Sequence, residues 1–500
     1  MHFYKAKKNI FTGRLYPLFI AVLVLLGSLL EIEVYTAFVN MIIVSIALWK
    51  SNTIRPFLFF LLTFAYQLPK DHVYSGDYYF KGANPWILLV GFVSLAVALV
   101  AFVVRNGIFY RADIKKIPLF IPLCIMTVGF ALNGVLYPSY NPMNLVWSVL
   151  MMLVYFLVYI IMYLGLKGED PDEMVEYFTY MTLLISWIMI IQMIYMYVNG
   201  LSDGVFGRDD IEMGYGVCNL IGFHITTLIP VNFYGFMRSK YPAAYMVTAY
   251  LLFIANFATT SRNSILFGTI YFIVCLVLCM FFGKRREGAK IIGLVTLGVV
   301  TVIIVLIVAY SKNPESFADT PWLSDILARI EEILKHSIGR TFGEDGEIED
   351  ATGSGRTEIW KRCFGLFKDN PIFGVGFFGM KEAPMGGQFD FLTSLVPQYA
   401  HNTVFELLSA TGAVGTIGYG VYRVATAKYM FHKFRLDRFM LLLGASVLVV
   451  ESLLDNYVFH IYTTFYYVIA LAIAVRLYEV QEDKPCRIEL LDLKKGRMRA

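Results

Sequence analysis

The chain has 500 residues, of which 58% are hydrophobic and only 16% are charged. A soluble domain carries about 25% charged residues, so this composition excludes an ordinary soluble enzyme and indicates that most of the chain lies in lipid. The formal net charge of +4 is small for this length, so nucleic-acid binding has no support and we expect no nucleic-acid partner.

Apolar stretches of the length that crosses a membrane, roughly 20 residues per helix, recur along the whole chain. They lie near residues 15–32, 34–49, 54–68, 86–104, 117–136, 145–166, 177–198, 216–237, 243–258, 264–282, 291–310, 402–422, 439–455 and 458–475. The basic start, residues 1–14, is followed by no small-residue cleavage site, so we interpret the first stretch as a retained helix. The pattern predicts an all-α polytopic integral membrane protein with about fourteen transmembrane helices.

Lysine and arginine concentrate in alternate connections, which predicts the orientation of the helices because basic loops remain in the cytoplasm. These connections lie at residues 5–14, 50–55, 105–116, 238–240, 284–290, 423–438 and 476–499. Both termini are therefore expected inside. The predicted organisation is transmembrane helices 1–11 over residues 1–310, a large extracytoplasmic loop over 311–401, helices 12–14 over 402–476 and a cytoplasmic tail over 477–500.

The large loop is expected to contain two short helices. Ser324 and Asp325 can cap a first amphipathic helix that begins at Ile326. A second helix is predicted from Arg356 to Lys368, because Asp369-Asn370-Pro371 stops helices.

Arg262 lies in a short polar turn, residues 259–264, between two apolar stretches on the predicted outer side. Arginine is disfavoured there, so an anionic partner is expected. A guanidinium keeps its charge and can donate two parallel hydrogen bonds to phosphate oxygens. We interpret Arg262 as a phosphate-binding residue; the alternative is an arginine that extends to lipid headgroups or helix ends.

Arg356 begins the second loop helix and shares one helical face with Trp360, Cys363 and Phe367. Such a face can bind a phosphate through Arg356 while Trp360 packs on a sugar or on the helix bundle. The alternative is an ordinary amphipathic helix with a solvated arginine.

His401 stands where the outer loop enters the next apolar stretch. An imidazole there can remove a proton from an acceptor hydroxyl near neutral pH. Asn402 and Glu406, four residues apart on one helical face, can orient the site. The alternative is a structural histidine at the membrane boundary, and His460 is a second candidate base on the same side.

No metal or cofactor is predicted. The six cysteines form no ligand or disulfide pattern. Glu31 and Glu33 form an acid-x-acid pair at the first outer turn, as in some metal-using membrane glycosyltransferases, but we interpret the pair as part of a solvated turn.

Five short motifs, in this order along the chain, resemble the bacterial O-antigen ligase and polymerase superfamily. They are Ser261-Arg262, Gly355-Arg356-Thr357-Glu358-Ile359-Trp360, Asp369-Asn370-Pro371-Ile372-Phe373-Gly374-Val375-Gly376, His401-Asn402 and Gly412-Ala413-Val414-Gly415. The resemblance covers roughly residues 255–425.

The resemblance implies a GT-C-like enzyme of the bacterial cytoplasmic membrane with its active site on the extracytoplasmic face. It implies transfer of a glycan from an undecaprenyl diphosphate carrier to an acceptor glycan or lipid, without a metal. By position, Arg262 and Arg356 would bind the diphosphate and His401 would activate or position the acceptor.

Two activities occur in this superfamily, and the motifs separate them poorly. We favour polymerisation of O-antigen, capsule or exopolysaccharide repeat units, because the loop lacks a feature that indicates a lipid core. The alternatives are an O-antigen ligase, a flippase of lipid-linked oligosaccharides, which also has about fourteen helices but would concentrate charge in a central cavity, and a scaffold without activity.

Overall fold

A computed structural model describes residues 10–68, 85–108, 116–202, 212–259, 261–282, 286–312, 356–379, 400–431 and 435–480. The first helix predicted for the large loop and the tail beyond residue 480 lie outside this part of the chain. The second loop helix is present and ends one residue later than predicted, at Asp369.

The described residues are almost entirely helical. The helices are α1 (Leu15–Leu29), α2 (Glu33–Lys50), α3 (Arg55–Thr63), α4 (Pro85–Arg105), α5 (Phe120–Ala131), α6 (Met143–Met152), α7 (Tyr159–Gly165), α8 (Pro171–Ser202), α9 (Cys218–Arg238), α10 (Pro242–Ala258), α11 (Arg262–Phe282), α12 (Arg286–Lys312), α13 (Arg356–Asp369), α14 (Thr403–Phe431), α15 (Leu436–Glu451) and α16 (Ile461–Val480). A π-helical turn, Leu153–Val158, joins α6 to α7. Before α9, Glu212–Met213 and Gly216–Val217 form a small antiparallel hairpin, β1 and β2.

Seven helices in the described residues are long and apolar enough to cross a membrane. They are α2, α4, the continuous α6–α7 helix, α8, α9, α11 and α14. The prediction of an all-α membrane protein is therefore confirmed. The number of fourteen spans and the GT-C-like architecture stay predictions.

Helix α9 forms the centre of the bundle. It packs against α8, α10, α11 and α15. In its membrane-spanning stretch 94% of the residues are buried, whereas only 22% and 28% are buried in the corresponding stretches of α4 and α11. A helix that is apolar on all sides belongs inside a bundle, while α4 and α11 present apolar faces outward as lipid-facing helices do. The N-terminal end of α9 lies beside the start of α11, where Ser264 Oγ donates to Asn219 O at 3.3 Å.

Helix α14 is interrupted at Gly412, where the segment of residues 371–376 inserts into its hydrogen-bond ladder. Gly412 has φ 60° and ψ −159°, a conformation outside the helical region. Amide N–H groups that would otherwise bond within the helix donate to carbonyl groups of the inserted segment. In turn, amide N–H groups of the segment donate to the helix carbonyl groups before Gly412. The four bonds run from Ala413 N to Pro371 O, from Val414 N to Ile372 O, from Val375 N to Ser409 O and from Gly376 N to Ala410 O, at 2.8 to 3.2 Å.

This exchange gives two of the sequence motifs a structural role. The inserted segment follows α13 directly, so it ties the helix that bears Arg356 to the helix that follows His401. It also reaches the connection between α5 and α6, where Gly134 N donates to Phe373 O at 2.8 Å. These bonds give partners to backbone groups that the break in the helix would otherwise leave unpaired, which a lipid environment requires.

A cluster of arginine and acidic side chains closes the opposite end of the bundle, where α9 ends at Arg238. Its acceptors lie around the first turn of α8, a position that also favours negative charge at a helix N-terminus. The ion pairs are Arg14 with Glu176, Arg55 with Glu169 and Glu173, and Arg238 with Asp172. The pair of Arg55 and Glu169 is buried, with side chains 9% and 6% exposed.

Candidate active site

The site is assembled on one short segment, residues 452–456, which connects α15 to the following turn of 3-10 helix (Tyr457–Phe459). Each of its five residues bonds either Arg356 or a residue between His401 and Glu406. Three of the contacts are made by backbone carbonyl groups: Ser452 O accepts from Thr403 N at 2.9 Å, Leu453 O from Asn402 Nδ2 at 2.5 Å and Leu454 O from Arg356 Nη1 at 2.8 Å. The other two are made by side chains. Asp455 Oδ1 bonds His401 Nδ1 at 3.0 Å, and Asn456 Nδ2 donates to Glu406 Oε2 at 3.0 Å.

His401 and Asp455 form a hydrogen-bonded pair at the surface of the site. The His401 side chain is 44% exposed, whereas Asp455 is 12% exposed. When Nδ1–H donates to the carboxylate, Nε2 of the ring carries the lone pair and can accept a proton. The pair therefore has the arrangement of a general base with its orienting acid.

The backbone of His401 adopts φ 51°, a left-handed conformation that residues with a side chain rarely occupy. Such a conformation costs on the order of 1–3 kcal/mol and persists only where neighbouring contacts enforce it. Here the contacts are made on both sides of the residue, by Ala400 and Asn402. The strain directs the imidazole toward Asp455.

Asp455 is held in its ionised form. Burial opposes ionisation, but the hydrogen bond with His401, the Arg356 guanidinium and the backbone N–H of Asn456 together lower the pKa of Asp455 below its ordinary value. The backbone N–H of Asn456 donates to Asp455 Oδ1 at 2.9 Å. A buried anion thus faces the base at neutral pH.

Arg356 and Asn263, the residue after Arg262, donate to the same carbonyl oxygen, that of Leu454. Arg356 Nη1 donates to it at 2.8 Å, and Asn263 Nδ2 donates to it at 3.4 Å. Arg262 is the first residue of α11, so its backbone lies directly beside this contact. The positive end of a 21-residue helix and a partly buried guanidinium therefore lie next to each other, which favours binding of an anion.

Trp360 packs within the protein. Its ring stacks on Phe405 with a centroid distance of 5.2 Å and an interplanar angle of 10°. Its Nε1 donates to Ala400 O at 2.9 Å. These contacts place the residue before His401 against α13, and the predicted contact of Trp360 with a sugar stays a prediction.

Asn402 and Glu406 contact the protein on both sides of His401. Asn402 Oδ1 accepts from Val404 N and Phe405 N at 2.9 and 3.2 Å, which caps the N-terminus of α14. Glu406 is fully buried, and its Oε2 also accepts from Ala400 N at 2.6 Å. Both side chains therefore hold the backbone on either side of His401; that they orient a catalytic site or bind substrate stays a prediction.

His460 lies at the end of the 3-10 turn, where its carbonyl accepts from the hydroxyls of Thr463 and Thr464. Burial lowers the pKa of His460, the carboxylate of Asp455 opposes that shift, and the charge of His401 adds to it. Burial therefore opposes protonation of the His460 ring.

Sequence reasoning missed Asp455 and the whole segment 452–456 as site residues. The sequence feature that could have indicated them is Asp455-Asn456, a pair of polar residues between apolar stretches on the predicted outer side. No group of three His, Cys, Asp or Glu that could bind a metal occurs within the described ranges. The absence of a metal requirement stays a prediction.

A family model described as O-antigen ligase matches residues 247–420, a range that begins in α10 and ends in α14. It contains Arg262, Arg356 and His401, whereas segment 452–456 lies beyond its end. No curated protein matches the chain. The predicted resemblance to the bacterial O-antigen ligase and polymerase superfamily is therefore confirmed, and it rests on residues 247–420.

Proposed function

We propose that this protein is a membrane glycosyltransferase that moves a glycan from an undecaprenyl diphosphate carrier to an acceptor hydroxyl. The family match indicates a membrane enzyme of the O-antigen ligase and polymerase type. The observation that supports the finer assignment is the convergence on segment 452–456. There Arg356 and Asn263, the residue after Arg262, donate to Leu454 O, one residue from the carboxylate that binds His401.

In this proposal Arg262 and Arg356 bind the diphosphate. The bond between the anomeric carbon and the diphosphate oxygen breaks during transfer, and undecaprenyl diphosphate departs with the bonding electrons. Two guanidinium groups can stabilise this developing negative charge in the position that a metal ion occupies in other enzymes. Each keeps its charge at any accessible pH.

His401 accepts the proton of the acceptor hydroxyl as the hydroxyl oxygen attacks the anomeric carbon. Asp455 stabilises the imidazolium that forms and keeps the ring in the tautomer whose Nε2 is basic. Glu406, Asn402 and Trp360 position the segment that bears His401.

The product we propose is a chain of surface polysaccharide repeat units. The second candidate is transfer to a lipid core, which the description of the matching family model favours. We would incubate the purified protein with an undecaprenyl diphosphate-linked repeat unit, with and without a lipid-core acceptor, and separate the products by size.

A ladder of longer glycans without the lipid core is the expected result. A single transfer to the lipid core would replace the polymerase by the ligase. No transfer in either reaction, together with movement of the lipid-linked glycan across vesicles, would refute both and favour a flippase. The His401→Ala variant is the control for transfer that depends on the site.

The proposed location is the bacterial cytoplasmic membrane, with both termini cytoplasmic and the site outside. Single cysteines placed at positions 345 and 287, in a background that lacks the native cysteines, test this orientation. An impermeant thiol reagent added to cells should label position 345 and spare position 287. The reverse pattern would contradict both the orientation and an extracytoplasmic reaction.

A further inference from the structure

One side chain outside all the motifs, Asn219, contacts both the turn before Arg262 and the carboxylate that binds His401. It is the second residue of α9 and lies between the turn that precedes Arg262 and the carboxylate that binds His401. Its Oδ1 accepts a hydrogen bond from Ser261 Oγ at 2.8 Å. Its Nδ2 donates to Asp455 Oδ2 at 3.4 Å.

The main chain of Asn219 is anchored independently of its amide. Its carbonyl oxygen accepts from Tyr457 Oη at 3.2 Å and from Ser264 Oγ at 3.3 Å. Tyr457 follows segment 452–456, and Ser264 belongs to the first turn of α11. The backbone therefore holds the amide at a constant distance from both partners.

We propose that Asn219 is a positioning residue that couples Ser261, the residue before Arg262, to the pair of Asp455 and His401. This inference rests on the proposed function. Oδ1 of Asp455 bonds His401 and the backbone N–H of Asn456. Asn219 therefore acts on the other oxygen, Oδ2. Ser261 is fully buried and directly precedes Arg262, so its hydroxyl transmits the position of the arginine turn to Asn219.

The chemistry of the side chain supports an amide at this position. The turn presents a hydroxyl donor, and Asp455 presents an acceptor. A short amide offers one acceptor and one donor at the required separation. A carboxylate at position 219 would still accept from Ser261, but it would place a second negative charge beside Asp455, while alanine would lose both contacts.

This difference between substitutions separates coupling from simple stabilisation. Asn219→Asp should keep the affinity for undecaprenyl diphosphate within twofold and lower kcat at least tenfold. Ser261→Ala removes the hydrogen bond to Asn219, worth about 1 kcal/mol as a neutral hydrogen bond, together with the contacts of the hydroxyl with Ser264, and leaves the contact of Asn219 with Asp455 in place. It should weaken undecaprenyl diphosphate binding and raise the donor KM about fivefold at nearly constant kcat. Asn219→Ala should do both.

Asn232→Ala is the matched control. Asn232 lies in the same helix, is buried, and donates to Ser186 Oγ and Leu228 O at 2.9 and 3.0 Å, away from the site. It should lower the thermal stability without changing the ratio of kcat to donor affinity. Full-length protein in detergent, the undecaprenyl diphosphate-linked repeat unit and unlabelled undecaprenyl diphosphate as the binding probe are used throughout.

The inference is refuted if Asn219→Ala retains the kcat and the undecaprenyl diphosphate affinity of the wild type. It is also refuted if Asn219→Asp and Ser261→Ala change kcat and affinity in parallel, as a purely structural role predicts. The wild type separates this result from the proposed function. If the wild type transfers glycan and the variants show no split, only the inference fails; if the wild type transfers none, the proposed function fails and the inference fails with it.

Discussion

Gly412 is the residue on which the interruption of α14 depends, and replacing it with alanine tests this directly. Its φ of 60° and ψ of −159° lie in a region that essentially only glycine occupies. A Cβ added there would lie 2.5 Å from the carbonyl carbon and oxygen of Ile372 and 2.7 Å from the nitrogen of Gly374. Both neighbours are backbone, so neither can rotate away.

The expected loss of stability follows from two contributions. Forcing alanine into this conformation costs on the order of 1–3 kcal/mol. Displacing residues 371–376 breaks at least two of the four exchanged hydrogen bonds, at about 1 kcal/mol each. Gly412→Ala should therefore lower the free energy of unfolding by about 3–5 kcal/mol. Because the displaced segment continues from α13, glycan transfer should also fall.

Gly420→Ala is the matched control, since Gly420 lies in the same helix and a Cβ there would meet nothing within 4 Å. Alanine is a better helix former than glycine, so this variant should gain roughly 0.5–1 kcal/mol. Both variants would be unfolded by denaturant in mixed micelles, followed by circular dichroism. Stability of Gly412→Ala equal to that of the wild type, or an equal loss in Gly420→Ala, would refute the account of the helix break.

Four further predictions address the site and the opposite end of the bundle. Arg356→Lys keeps the charge but loses the planar fork, so undecaprenyl diphosphate affinity and turnover should both fall; unchanged binding would remove Arg356 from the diphosphate site. His401→Ala should lower turnover 10²- to 10⁴-fold with donor binding retained, whereas substantial turnover would exclude it as the base. Glu169→Ala removes the buried partner of Arg55 and leaves it only the longer contact with the exposed Glu173, at 3.4 Å, so it should cost about 3–5 kcal/mol. Glu176→Ala, in an exposed pair, should change stability by less than about 1 kcal/mol; equal losses in unfolding assays would contradict this difference. The pKa of Asp455 is lowered from 3.8, so its carboxylate stabilises the fold above that value, and this contribution is lost as the pH falls through the pKa of the folded state. The stability difference between the wild type and Asp455→Asn should therefore be constant near pH 5 and shrink below about pH 4. A loss of this difference above about pH 5 would contradict the lowered pKa.

The helices and several site residues could be predicted because their signals are local. Runs of apolar residues predicted the bundle, and the stop signal at Asp369-Asn370-Pro371 predicted the end of α13 to within one residue. Arg356 and His401 attracted attention because a permanent cation and an imidazole at the edge of an apolar stretch need a reason to be there. The glycines at 374 and 412 were recognised as parts of motifs, but their role in the helix exchange was not.

What the sequence determined by itself was the class of protein, the position of its helices and the residue types available at one end of them. The tertiary structure decided which of those residues meet. His401 and Asp455 are 54 positions apart, Arg356 and Leu454 are 98 apart, and Asn219 and Asp455 are 236 apart. Hydrophobic periodicity specifies which face of a helix is buried but not which helix covers it. Segment 452–456 became the centre of the site because the packing of α9, α13, α14 and α15 brings their ends together, and no local pattern encodes that contact.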